Sequence, residues 1–248
     1  MLRAEILKLK RSATWIIALI LPLLAVITGT INLANNPDTL DAGWASFTSQ
    51  VTLFYGLLFF SIGISLIAST VWRMEHRGTN WNLLLTTTRQ PIKLVAAKIA
   101  VIALPVAFMQ LILVIGTLIS GTFILGLDGM IPWHFTLVGA ISVIAALPLI
   151  AIQSLLSMLM KSFAAPVAIC LLGCVVGVAT VTSEGLRPLS FIWPQAINTR
   201  VLNLGSTALA GSGGLTVQDA LPLLSIALCI AALITGLTLT MIRKVKLR

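Results

Sequence analysis

Six stretches of this chain run for about twenty residues or more almost without charge, and nothing else in the sequence narrows its possible folds as much. A helix rising ~1.5 Å per residue needs about 20 apolar residues to cross a ~30 Å hydrocarbon core. Lipid offers the backbone no hydrogen-bond partner, so such stretches cross as helices that satisfy their own amides. The runs predict spans at Thr14 to Ala34, Phe47 to Trp72, Leu94 to Leu125, Phe135 to Met160, Phe163 to Ser183 and Ala220 to Ile242. At 58% hydrophobic and 9% charged over 248 residues, a water-soluble domain of this length could not hide its apolar surface. The expected fold class is therefore all-α integral membrane, a single transmembrane domain over residues 1–248. The third run exceeds one crossing, so its start is expected to lie along the membrane surface before it dips into the bilayer.

Orientation follows from the basic residues, which are retained in the cytoplasm beside short connections. Fourteen of the sixteen lysines and arginines precede the first span, surround the second connection, mark the fourth at Lys161, or close the chain. Only Arg187 and Arg200 fall on the other side, where five of the seven acids lie. Six spans with both termini cytoplasmic satisfy every segment. The formal net charge of +9 then reports topology rather than a nucleic-acid partner. An apolar stretch of about 21 residues after the basic start outruns the 7–15 of a signal peptide, so the first span is expected to be retained.

The residues before it, MLRAEILKLKRS, place Leu2, Ile6 and Leu9 at i, i+4, i+7 with Arg3, Lys8 and Arg11 elsewhere around the helix. This spacing predicts an amphipathic helix on the inner membrane surface. The connection from Glu184 to Asp219 is the longest on the outer side. Its Phe191-Ile192-Trp193-Pro194 suggests an element at the outer interface, either capping a path or anchoring a connector.

Bond-making chemistry finds no apparatus here. No G-x-x-x-x-G-K-[ST] run is present to cradle nucleotide phosphates. His76 and His134 fall in connections on opposite sides, too far apart for a metal site, and the three cysteines fall inside spans as packing residues. No ionisable residue occupies the middle of a span, which argues against an ion gradient as the energy source. No internal repeat marks duplicated halves. Asn32, Gln110 and Gln153 are embedded polar residues that either line a translocation path or join helices by hydrogen bonds. Gly173 and Gly177, a small-x-x-x-small pair in the fifth span, permit close helix approach, either within one chain or as a seam between two.

The second connection is the informative one. Thr79 or Asn80 can cap a short helix in which Trp81, Leu84, Leu85 and Thr88 recur at i, i+3, i+4, i+7, and Pro91 stops it before the next span. An apolar ridge with basic flanks suits either lipid headgroups or the groove of a soluble partner.

Glu75, Gly78-Thr79, Trp81, Leu83-Leu84, the basic turn from Arg89 to Pro91 and Lys98 together resemble the permease subunits of type-2 ABC exporters. Within them the pattern is most similar to the lantibiotic-immunity and bacitracin-resistance permeases. The layout agrees over the whole chain: a basic surface helix, six spans, this loop after the second, and an aromatic-proline segment before the sixth. The pattern departs at Thr86-Thr87-Thr88, where the family often has a Leu-Pro turn. The resemblance implies that Glu75 to Pro91, with Glu75, Gly78, Thr79, Trp81, Leu84, Leu85 and Pro91 as its working residues, is a cytoplasmic coupling helix docking into a separate ATPase subunit, in two copies, which holds ATP and Mg. It implies a second permease chain, identical or homologous, and a place in the bacterial cell membrane. This chain would bind no cofactor, metal or nucleic acid and catalyse nothing itself. The expected function is export of an amphipathic or antimicrobial compound. The alternative is a membrane scaffold or peptide sensor using the same segments without transport, and a membrane-embedded enzyme ranks last for want of a nucleophile, base and orienter.

Overall fold

A computed structural model describes residues 2–10, 12–36, 40–41, 43–76, 90–206 and 217–246. Helix α1 (Leu2–Lys10) precedes the first span, α2 (Thr14–Asn35). The second span joins α3 (Trp44–Phe54) to α4 (Phe60–Arg73) through a π-helical turn, Tyr55–Phe59. The third is α5 (Pro91–Ile119), ending in a second π turn at Ser120–Ile124. The fourth comprises α6 (Trp133–Ala145) and α7 (Leu147–Leu159), and the fifth is α8 (Ala164–Thr182). A 3-10 turn at Arg187–Phe191 leads to the short α9 (Pro194–Leu202), and a turn at Val217–Asp219 leads to the sixth span, α10 (Ala220–Lys246).

Among the described residues six helices are long and apolar enough to cross a membrane, and each coincides with one of the expected runs. The fold is all-helical. The third span is a single continuous helix from its start. Pro91 takes the first helical position, where its missing N–H costs nothing, and one helix of 34 residues runs on through Pro105 to Ile124. Leu94, Val95, Ala97 and Lys98 in its first turns are buried, and α1 packs beside them. Protein covers one face of these first turns, while Ile92 on the other stays 58% exposed. The fourth span does break, at Ala146, because Pro148 offers no N–H and crowds the carbonyl of Ile144.

The second and fourth spans form the centre of the bundle, joined by polar side chains at nearly every turn. Ser65 donates to Gln153 at 3.0 Å, the Ser69 and Ser157 hydroxyls hydrogen-bond to each other at 3.3 Å, and Trp72 Nε1 donates to Ser154 at 2.8 Å. Close to the chain ends, Trp72, Val95, Leu155, Met158 and Ile242 make a small apolar cluster, so the last turns of α10 reach the same end of the bundle as α1. We call this the terminal face.

At the far face the chain re-enters the bundle after the fifth span. Trp193 Nε1 donates to the Gly173 carbonyl at 2.8 Å, which anchors the start of α9 about halfway down α8. The π turn receives α9 from the other side. Opening the helical ladder there pairs the Phe60 amide with Tyr55, and the Thr199 hydroxyl donates to the Gly56 carbonyl at 2.8 Å. Thr52 and Asn203, joined at 3.3 Å, extend the contact toward the far face. The segment marked by Phe191 to Pro194 thus opens a hairpin whose helix α9 is buried in the bundle, while Ile192 and Trp193 at its turn stay exposed.

Candidate coupling site

At the terminal face the second span runs out at Arg73, and the amides of Glu75 and His76 turn back onto the Trp72 carbonyl at 3.0 and 3.4 Å. That turn aims the Glu75 carboxylate into protein, where it is only 3% exposed. Oε1 accepts from Lys8 Nζ at 2.6 Å and from Lys98 Nζ at 2.8 Å. Glu5 faces the same two lysines, pairing with Lys98 at 2.7 Å and Lys8 at 2.8 Å. Two carboxylates and two ammonium groups therefore close a neutral ring drawn from α1, the end of the second span and the start of the third.

Lys98 is the centre of this ring. Its side chain is fully buried and its ammonium lies 5.0 Å from the centroid of the Trp72 ring. A lone buried charge costs several kcal/mol, so the cation persists here only because two acids and an aromatic face surround it. Lys8, about a third exposed, closes the ring on its solvent side. Burial alone would raise the Glu75 carboxyl, but the charges and hydrogen bonds of Lys98 and Lys8 outweigh it and hold it below the ordinary carboxylate range. For Lys8, burial pulls down and the bonds to Glu5 and Glu75 push up, with a net rise. Next to the ring, His76 Nε2 sits 2.8 Å from the Ser157 carbonyl, fixing the turn to the fourth span.

The ring fastens both roots of the second connection. Glu75 lies at its entrance and Lys98 two turns beyond Pro91 at its exit. Gly78, Thr79, Trp81, Leu84 and Leu85, named from the sequence as the working face of the coupling helix, lie outside the described residues.

Glu5 and Lys8 were not singled out from the sequence. Their signal was present: Glu5 is the single acid in an otherwise basic first dozen residues, three positions before Lys8. The apolar face assigned to α1 also divides. Leu9 is buried with Glu5, whereas Leu2, Ile6 and Leu7 stay exposed at 47%, 41% and 70%. The helix is held by charge on one side and left apolar on the other.

The remaining candidate residues are dispersed. Asn32 donates to Gln50 at 2.8 Å between the first two spans, Gln153 accepts from Ser65, and Gln110 reaches Tyr55 across a long 3.4 Å contact. Each of the three joins neighbouring helices, and Gln110 also lines a cleft between the third and fourth spans with Val114 and Gly139. Of the two readings of Gly173 and Gly177, close approach within the chain is the one seen here. Gln195 and Trp193 of α9 occupy the space beside them, and a Cβ at Gly173 would collide with the Gln195 amide. The close approach that small residues permit is used within the chain.

A family model described as "ABC-2 family transporter protein" matches residues 1–177, which includes the ionic ring and the first four spans whole. No curated protein matches the chain. No solved structure does either.

Proposed function

The chain belongs to the ABC-2 family of transporter proteins and is thus a membrane-embedded transport subunit, and on that premise we propose that it is the permease of an ATP-driven exporter which removes an amphipathic or antimicrobial compound from the bacterial cell membrane. In this reading both termini are cytoplasmic and the terminal face meets two copies of a separate ABC ATPase, which hold ATP and Mg. A second permease chain, identical or homologous, completes the path. Within the family the sequence pattern favours the lantibiotic-immunity and bacitracin-resistance group.

The ionic ring carries the proposal. A connection that receives force from a moving partner must pass it to the spans without absorbing it. Pulling one partner out of a buried charge pair costs ~3–5 kcal/mol, so Glu75, Lys98, Glu5 and Lys8 move as a unit. Displacement of residues 77–89 would then drive the ends of the second and third spans together with α1. The polar seam from Ser65 to His76 extends that unit into the fourth span. On the cargo side, an apolar cleft of about 320 Å³ between the first and third spans, lined by Leu23, Val26, Ile27 and Ile119 over the Thr30–Ser120 hydrogen bond, suits a mostly apolar molecule carrying a polar group.

The test is purification of the tagged chain in mild detergent, asking whether a soluble protein with ATPase activity accompanies it. Leu84→Asp, which places a charge on the apolar ridge of the second connection, is expected to release that partner while leaving membrane insertion intact. A chain that purifies alone in several detergents would reject the permease assignment in favour of a scaffold or peptide sensor. An ATPase retained by Leu84→Asp would reject the ridge as its docking surface.

A further inference from the structure

The two arginines that break the charge asymmetry of the sequence come together in the far-face hairpin. Arg200 lies on α9 and is 2% exposed, yet no carboxylate among the described residues pairs with it. Every ion pair among the described residues belongs to the ring at the opposite face. Its Nε donates to Ser190 Oγ at 2.5 Å, and Ser190 donates in turn to the Arg187 carbonyl, so the two basic residues are linked through one serine. The guanidinium lies 4.4 Å from the centroid of Phe191. Its Nη2 is buried and has no partner. Arg187, half-buried, adds a like charge and pairs with no carboxylate among the described residues. Glu184, the nearest acid along the chain, stays exposed and forms no ion pair among the described residues. Burial and the charge of Arg187 both pull the Arg200 guanidinium below its ordinary value.

A serine and an aromatic face do not neutralise two adjacent cations, one of them desolvated. Such a pair needs an anion. The same segment says what kind, since Leu186, Leu189 and Ile192 stand 41%, 51% and 62% exposed around it. Cationic donors beneath a rim of exposed apolar side chains match a phosphate group that carries hydrocarbon chains. We propose that Arg187 and Arg200 form a binding site for the phosphate of an anionic phospholipid, whose acyl chains lie against Leu186, Leu189 and Ile192. Ser190 and Phe191 hold the Arg200 fork in place, and the lipid locks the descending limb of the hairpin to α9. The site is independent of the ATPase partner.

The experiment titrates the full-length chain, purified in detergent, with phosphatidylglycerol, phosphatidylcholine or inorganic phosphate, and reads retained lipid by native mass spectrometry and the unfolding midpoint by tryptophan fluorescence. Phosphatidylglycerol is expected to be retained and to raise the midpoint. Phosphatidylcholine, whose phosphate is neutralised by its own choline, is expected to bind less. Arg187→Gln should weaken retention of phosphatidylglycerol about tenfold, as loss of a charge-assisted hydrogen bond does, and Arg200→Gln should abolish it. Should Arg200→Gln fail to fold, Arg187→Gln decides the matter, because that side chain is half-exposed. Equal retention of the two lipids, or retention unchanged in Arg187→Gln, would overturn the site. A midpoint raised equally by inorganic phosphate would overturn its assignment to lipid and leave a site for free anions.

Discussion

Replacing Lys98 with methionine keeps the apolar stem and removes the one cation that Glu5 and Glu75 share in the interior. The wild-type ring holds two positive and two negative groups; the variant leaves both carboxylates with Lys8 alone, whose side chain is 36% exposed. Breaking a fully buried charge pair costs ~3–5 kcal/mol. Because Lys8 still bridges both acids, the lower end, about 3 kcal/mol, is expected, or a fall of about 6–12 °C in unfolding midpoint for a chain of this size. Adding Glu5→Gln restores one cation to one anion, the Lys8–Glu75 pair at 2.6 Å. The double variant should then recover at least ~1.5 kcal/mol over the sum of the single changes, the coupling expected of groups in one network. Thermal unfolding of the four proteins in one detergent, followed by tryptophan fluorescence, gives that coupling directly. Costs that simply add would refute the ring as an energetic unit. Acid supplies a second reading with a definite sign. The wild-type Glu75 carboxyl is held below its ordinary 4.5, so its contribution is intact above that pH and is lost as the pH falls through the lower folded value. In Lys98→Met, burial prevails and the carboxyl titrates upward. The stability gap between wild type and variant should therefore narrow from pH 7 to pH 5.

Two further substitutions test the packing. Gly173→Leu drives a side chain into Gln195 and should destabilise the chain by ~1–3 kcal/mol or more by unseating α9, with self-association in detergent unchanged; loss of pairing without loss of stability would restore the interchain seam. Trp72→Phe keeps an aromatic face for Lys98 but loses the hydrogen bond to Ser154, a cost of about 1–3 kcal/mol with an orphaned hydroxyl, measured as a lower unfolding midpoint; an unchanged midpoint would remove the seam between the second and fourth spans as a stabilising feature.

The match between expected and observed spans is close because a crossing is fixed by a local property. A run such as Thr14 to Ala34 has no charge to expel it from lipid and no means but helix to satisfy its amides, whatever its neighbours do. The two roots of the second connection were legible for another reason: Glu75, Pro91 and Lys98 stand in a recognisable order along the chain. The pairing of Glu75 with Lys98 was not, and still less the part of Glu5, separated from Glu75 by seventy residues of sequence.

Hydropathy states how apolar a segment is but not what its faces touch, since lipid and protein interior are equally apolar and equally tolerant of Leu, Ile and Gly. Number, length and helical nature of the spans were thus determined by the sequence alone, through the thickness of the hydrocarbon core. Which face of α1 meets protein, that Gly173 receives α9, and that Arg187 and Arg200 come to share one hairpin were decided only by tertiary packing, because each depends on a partner that local periodicity does not encode.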